Sequence, residues 1–109
     1  LFTKEGDSFT AIMTIVYEGK EKIISASGNG RLDAVGNALK AELGMEFSNL
    51  TYTEHALERG SSSKAVAYVS ITDENGNIHW GAGVHNDIIY ATINALFSAI
   101  NRAIMSKEK

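Results

Sequence analysis

Two glycine-containing turns carry the clearest opportunity for chemistry in this 109-residue chain. Gly28-Asn29-Gly30 stands between an apolar, β-branched run and a segment of helical spacing. Glycines there let the backbone turn sharply and present N–H groups at a helix N-terminus, where carboxylates and other anions bind. A dinucleotide-binding turn is a poor match. Its third glycine would fall at Asp33, and no acidic residue closes a second parallel strand about 20 residues later. The second turn, Gly81-Ala82-Gly83-Val84-His85-Asn86-Asp87, offers the same opportunity, with Asn86 or Asp87 placed to cap the helix that follows. The remaining candidates read as structural. His55, His79 and His85 lack the HxH or HExxH spacing of a metal site. Glu54 and His55 are strand neighbours whose side chains point to opposite faces, so they form no acid–base pair. No serine occupies a nucleophile elbow, and Ser61 to Ser63 read as a loop. Trp80 and Tyr90 read as packing residues, either of which could wall a ligand site. No catalytic residue and no metal ligand is assigned.

The elements that must position these turns follow from periodicity. Phe9 to Tyr17 is β-branched and aromatic and reads as a strand, Glu18-Gly19-Lys20 as a turn, and Lys22 to Ser27 as its hairpin partner. From Arg31 to Leu43, Leu32, Val35, Leu39 and Leu43 recur at helical spacing. Asp33 suits the first turn of that helix, and Gly44 suits a C-cap backed by Met45. The second half repeats the plan. Ser48 to Leu57 reads as a strand, Gly60 to Ser63 as a turn, and Ala65 to Thr72 as a strand. Glu74-Asn75-Gly76-Asn77 reads as a hairpin turn, Ile78 to Val84 as the returning strand, and Asp87 to about Met105 as a long helix. Ile89, Ile93, Leu96, Ile100 and Ile104 form its apolar stripe; Ala91, Ala95, Ala99 and Ala103 line a neighbouring face open to close approach. Letters repeat as well: Ala34 to Leu39 (AVGNAL) matches Ala91 to Leu96 (ATINAL) at an offset of 57 residues, 91 − 34. The expected fold is α+β, with two pseudo-twofold-related units, an antiparallel-rich sheet and two helices packed on one face of it. Such a twofold would bring the two helix N-termini together around a cleft for a small zwitterion or anion.

Composition narrows the function classes. The length fits one domain, residues 1–109, with a thin enough margin that oligomerisation would help it. A hydrophobic content of 44% with 21% charged residues is ordinary for a soluble globular chain. Net charge is −3 with scattered Lys and Arg, which argues against a nucleic-acid surface. The absence of cysteine excludes disulfides and thiolate metal sites. Ile88 to Ile104 is interrupted by Asn94, Ser98, Asn101 and Arg102 and reads as too polar to span a bilayer. No signal-peptide pattern is present, so the expected compartment is the cytoplasm. A first residue of Leu1 and the absence of Pro fit a piece of a longer polypeptide.

Six segments in order then become specific. They are Gly28 to Ala34 (GNGRLDA), Tyr52 to Leu57 (YTEHAL), Ala65 to Val69 (AVAYV), Trp80 to Val84 (WGAGV), Asp87 to Thr92 (DIIYAT) and Ser98 to Arg102 (SAINR). Together they resemble the C-terminal regulatory domain of 2-isopropylmalate synthase over nearly the whole chain, from Phe9 to Arg102. The resemblance implies two βββα units that dimerise and bind L-leucine, the feedback inhibitor of leucine biosynthesis, near the dimer interface. It also implies an upstream TIM-barrel acyltransferase, absent from this chain, that condenses acetyl-CoA with 2-oxoisovalerate using a divalent metal. No cofactor is implied for the domain itself. The leucine contacts it implies are Gly28, Gly30, Leu32, Asp33, Tyr52 and Ala56, with Asn86, Asp87 and Ile88 a looser match. One departure is Arg31, which stands where the family carries a proline that pre-sets the first helical turn. Two alternatives stay open: the isoleucine-sensing domain of (R)-citramalate synthase, and a dimerisation module without a ligand.

Overall fold

In a computed structural model, which describes residues 2–56 and 64–107, the elements follow in the order βββα–βββα. The chain divides into two compact units, Leu1–Met45 and Glu46–Lys109. Each is built around its own three-stranded antiparallel sheet, so the single sheet expected from the repeat is replaced by two. The α+β class and the repeated order are as expected.

In the first unit, β1 (Phe2–Glu5), β2 (Ser8–Tyr17) and β3 (Lys20–Gly28) lie in sequence order, and α1 (Arg31–Leu43) covers β3 and β2. Strand β1 carries no readable alternation in FTKE and is not legible from the residues alone. Tyr17 pairs with Lys20 across a two-residue loop whose central residues, Glu18 (φ 53°) and Gly19 (φ 77°), are both left-handed. That is the type I′ geometry whose twist matches the flanking strands. The core gathers Ala11, Ile24, Ala34, Val35, Ala38 and Leu39. Gly44 ends α1 in the left-handed region, and the Met45 N–H reaches back to the Lys40 carbonyl at 3.3 Å. With Met45 itself buried, this is the expected glycine cap and its hydrophobic contact. A 2.7 Å ion pair from Lys22 to Glu42 ties β3 to the last turns of α1.

In the second unit, β4 (Phe47–Ala56), β5 (Ala65–Asp73) and β6 (Ile78–His85) lie in order, and α2 (Ile88–Lys107) runs over β6 and β5. The turn expected at Gly60 to Ser63 lies outside the described residues. A bulge between Ser48 and Thr51, with Asn49 at φ 50°, re-sets the register of β4. The β5–β6 hairpin is closed by Asp73. Its Oδ1 accepts the N–H groups of Asn75 and Asn77, each at 2.9 Å, while Gly76 takes φ 85°. Oδ2 lies 2.8 Å from His79 Nε2. The His79 contact, followed by the Asn77 and Asn75 amides, holds the buried Asp73 carboxyl at about 2.

The contact between α2 and its sheet is backbone against backbone. A Cβ placed on Gly81 would lie 2.2 Å from the Ala95 carbonyl oxygen, and one on Gly83 would lie 2.2 Å from that of Ala91. The alanine face, Ala91, Ala95, Ala99 and Ala103, is fully buried here. Of the isoleucine–leucine stripe, only Leu96 and Ile100 are buried, while Ile89, Ile93 and Ile104 are half-buried. Close approach was expected for the alanines. Gly81 and Gly83 lie inside β6, as the strand expected from Ile78 to Val84 has them, and not in the turn that also took them in; there they admit the helix. By length and composition α2 is also apolar enough to cross a membrane, contrary to the sequence reading, but its most buried face is spent on the sheet.

A methyl group at Gly83 cannot be accommodated without moving α2 off β6. Gly83→Ala is expected to destabilise the chain by about 3 kcal/mol, read as a lowered urea midpoint at unchanged slope.

Candidate functional site

The first strand-to-helix corner brings together Gly28, Gly30, Leu32 and Asp33. Gly28 closes β3 with the first turn of α1 pressed against it. An added Cβ would lie 2.7 Å from the Ala34 nitrogen and 2.9 Å from the Asp33 Cβ. Glycine is required there by close approach. Gly30 differs: it is the N-cap of α1 in extended backbone (φ −143°, ψ 174°), and a Cβ on it would meet only Asp33 Oδ2 at 3.8 Å. What Gly30 provides is a cap without a side chain. Its carbonyl accepts the Ala34 N–H at 3.0 Å, but no side-chain bond caps the helix. The amides of Arg31, Leu32 and Asp33 therefore end α1 without intrahelical acceptors, a polar edge suited to an anion. Leu32 is half-buried beside them and Asp33 is exposed. Arg31, in the proline position, lays its guanidinium over the rings of Phe9 (5.1 Å to the centroid) and Phe2 (5.9 Å). This cation–π contact pins the start of α1 to β1 and β2 and gives Arg31 a packing role.

The second corner is built from β4, the end of β6 and the start of α2. Asp87 caps α2: its Oδ1 accepts the Ile89 N–H at 2.9 Å, and its carbonyl accepts that of Ala91 at 2.9 Å. The Asp87 N–H in turn donates to His85 Nδ1 at 2.9 Å, and the His85 ring lies 5.2 Å from that of Tyr90. The two corners are thus chemically unlike. In the first the helix end is bare; in the second Asp87 fills it, the cap expected there of Asn86 or Asp87. Asn86 is exposed and Ile88 half-buried at this end.

Tyr52 pairs with Val69, and Val69 with Gly81, so these three share the face of the sheet that carries α2. Because α2 runs over β6 and β5, Tyr52 on edge strand β4 keeps 54% exposure. Ala56 ends β4 opposite Ala65. Between them Glu54 lies in line with Ala67 and Gly83 on the same face, and its Oε2 accepts the Thr92 hydroxyl at 2.6 Å. The Thr92 oxygen is also 2.9 Å from the Ile88 carbonyl oxygen. Glu54 and Thr92 were not singled out as site residues. The alternation Tyr52, Glu54 was the signal available for them. His55 points away from Glu54, its ring 6.3 Å from that of Tyr68 on the opposite face. Trp80 and Tyr90, read as packing residues, are 54% and 53% exposed. Among the described residues no group of three or more His, Asp or Glu side chains is placed to hold a metal ion.

Two βββα units with polar groups at their strand-to-helix corners make a small α+β module. The chain belongs to the LeuA allosteric (dimerisation) domain family, whose model matches residues 2–104. It is 51% identical over 98 residues, 90% of its length, to a 2-isopropylmalate synthase of Desulfitobacterium hafniense, covering 18% of that protein. It is 41% identical over 106 residues, 94% of its length, to the 2-isopropylmalate synthase of Helicobacter hepaticus, covering 19%. With that of Mesorhizobium japonicum it shares 38% identity over 95 residues, 87% of its length and 17% of the relative's. The chain thus spans less than a fifth of the length of these relatives.

Removal of the Asp87 cap leaves the start of α2 without its side-chain acceptor. Asp87→Ala is expected to cost about 1 kcal/mol in thermal or urea unfolding, and Asp87→Asn less than half of that.

Proposed function

We propose that this chain is the regulatory and dimerisation domain of a 2-isopropylmalate synthase and that it binds L-leucine as a feedback inhibitor. The observation that carries the reading is the match to that family over residues 2–104, which includes both strand-to-helix corners. The geometry supports it. The bare N-terminus of α1 behind Gly28 and Gly30 suits an α-carboxylate, and half-buried Leu32 offers apolar surface to a branched side chain. Asp33, Tyr52, Ala56, Asn86, Asp87 and Ile88 complete the proposed contacts. Arrangements of the domain that differ in leucine affinity would be shifted in population by the ligand, and the shift would lower activity in an attached catalytic barrel. That barrel, a metal-dependent acyltransferase acting on acetyl-CoA and 2-oxoisovalerate in the cytoplasm, is part of the proposal.

Homodimer formation fits the exposed apolar residues on the helix-free sheet faces. These are Val16 and Ile23 in the first unit, and Tyr68, Ile78, Trp80 and Val84 in the second.

Calorimetric titration of the chain with leucine and, separately, isoleucine tests the reading. Leucine is expected to bind, to raise the melting temperature, and to do both at lower concentration than isoleucine. Light scattering on the same sample is expected to report a dimer. Absence of heat and of a melting shift at millimolar leucine would contradict the sensor reading, and tighter binding of isoleucine would reassign the effector.

A further inference from the structure

We propose that Asn29 is a site of spontaneous deamidation, and that the fold favours this reaction at Asn29 over Asn75. These are the two asparagines of the chain that precede a glycine, Gly30 and Gly76. Without a Cβ, glycine leaves its own nitrogen unhindered beside the preceding side-chain amide. The Gly30 nitrogen attacks Cγ of Asn29, and its proton passes to the departing side-chain nitrogen. Ammonia leaves, and the new C–N bond closes a five-membered imide. Water then opens either imide bond. One opening gives aspartate at position 29; the other gives isoaspartate, with the chain rerouted through the former side chain and one methylene longer.

Exposure does not separate the two asparagines, since both face solvent. The state of the attacking nitrogen does. Gly30 lies between β3 and α1, and among the described residues its N–H donates no hydrogen bond. Only its carbonyl is engaged, accepting the Ala34 N–H at 3.0 Å. The Gly76 N–H instead donates to the Asp73 carbonyl at 3.1 Å. The amides on either side of it, Asn75 and Asn77, donate to Asp73 Oδ1, each at 2.9 Å. Attack at Asn75 therefore has to break the turn that closes the β5–β6 hairpin.

Charge acts in the same direction. The nitrogen must give up its proton, and addition to Cγ places negative charge on the amide oxygen. At Asn29 that charge develops beside the N-terminal amides of α1, which no side chain caps. The positive end of the helix lowers its cost and also stabilises the carboxylate of the product. At Asn75 the charge develops beside the Asp73 carboxylate, which opposes it. One anion stands near Gly30 as well: Asp33 Oδ2 lies 3.8 Å from where a Gly30 Cβ would be. Asp33 is exposed and caps none of the α1 amides, so water and salt screen its charge.

Peptide mapping by mass spectrometry, after incubation of the folded chain in warm neutral buffer, tests the proposal. Asn29 is expected to convert about tenfold faster than Asn75, to a mixture of aspartate and isoaspartate. In urea-unfolded chain the two rates are expected to converge, because the hydrogen bonds and the helix end are gone. Gly30 has an ordinary φ of −143° and room for a Cβ, so Gly30→Ala is expected to fold. It is expected to slow conversion at Asn29 and to leave Asn75 unchanged. Equal rates in the folded chain, faster loss at Asn75, or a difference that persists in urea overturns the proposal. An unchanged rate at Asn29 in folded Gly30→Ala overturns it in favour of direct hydrolysis. The comparison within the unsubstituted chain decides even if the variant does not fold.

Discussion

The seating of α2 on the glycines of β6 is the contact on which the second unit depends. Backbone approach at Gly81 and Gly83 is possible only because both partners lack bulk: glycines on the strand and Ala91, Ala95 and Ala99 on the helix. Small residues provide little transfer free energy each, but close approach packs the helix backbone itself into the core. It also fixes the longitudinal position of α2. The Asp87 cap, the buried Thr92 hydroxyl and, through it, the Glu54 carboxylate take their places from that register.

The first unit uses the same device with a different outcome. Gly28 lets the first turn of α1 press on the end of β3, as Gly83 does for α2, and the repeated letters occupy matching burial. Ala34 and Ala91, Ala38 and Ala95, and Leu39 and Leu96 are all buried, while Asn37 and Asn94 are both exposed. The divergence lies at the helix starts. One has a glycine cap, bare amides and an arginine folded over Phe2 and Phe9; the other has an aspartate cap and a glutamate nearby. The first helix start thus keeps free amides, while the second spends its carboxylates on the helix itself.

Much of this was legible in the residues, for reasons that also explain the exceptions. The bounds of α1, from Arg31 to Leu43, follow from helical spacing and a glycine stop, and both signals are local. The β5–β6 hairpin follows from Asn75-Gly76, although the loop closes through Asp73 side-chain bonds. Strand β1 escaped because an exposed edge strand has no buried face to impose alternation. Gly81 and Gly83 fall in both a strand and a turn reading because glycine marks a sharp turn and a close approach with the same letter. Trp80 and Tyr90 read as packing residues or the wall of a site and stand half-exposed, because apolar character does not say which face of an element a side chain occupies. Among the proposed contacts, Gly28, Gly30 and Asp87 are legible from glycine-turn and capping chemistry, and Tyr52 only through the resemblance. Glu54 and Thr92 depend on a contact between β4 and α2 that is 38 residues apart in sequence and visible only in three dimensions.

The central claim is that the strand-to-helix corners, rather than the open sheet faces, recognise the effector. A 15N–1H amide titration with leucine tests it residue by residue. The account predicts the largest shifts at 28–33, 52–56 and 86–92. Shifts confined to the helix-free faces around Ile23, Tyr68 and Trp80, or no shifts at saturating leucine, would contradict it.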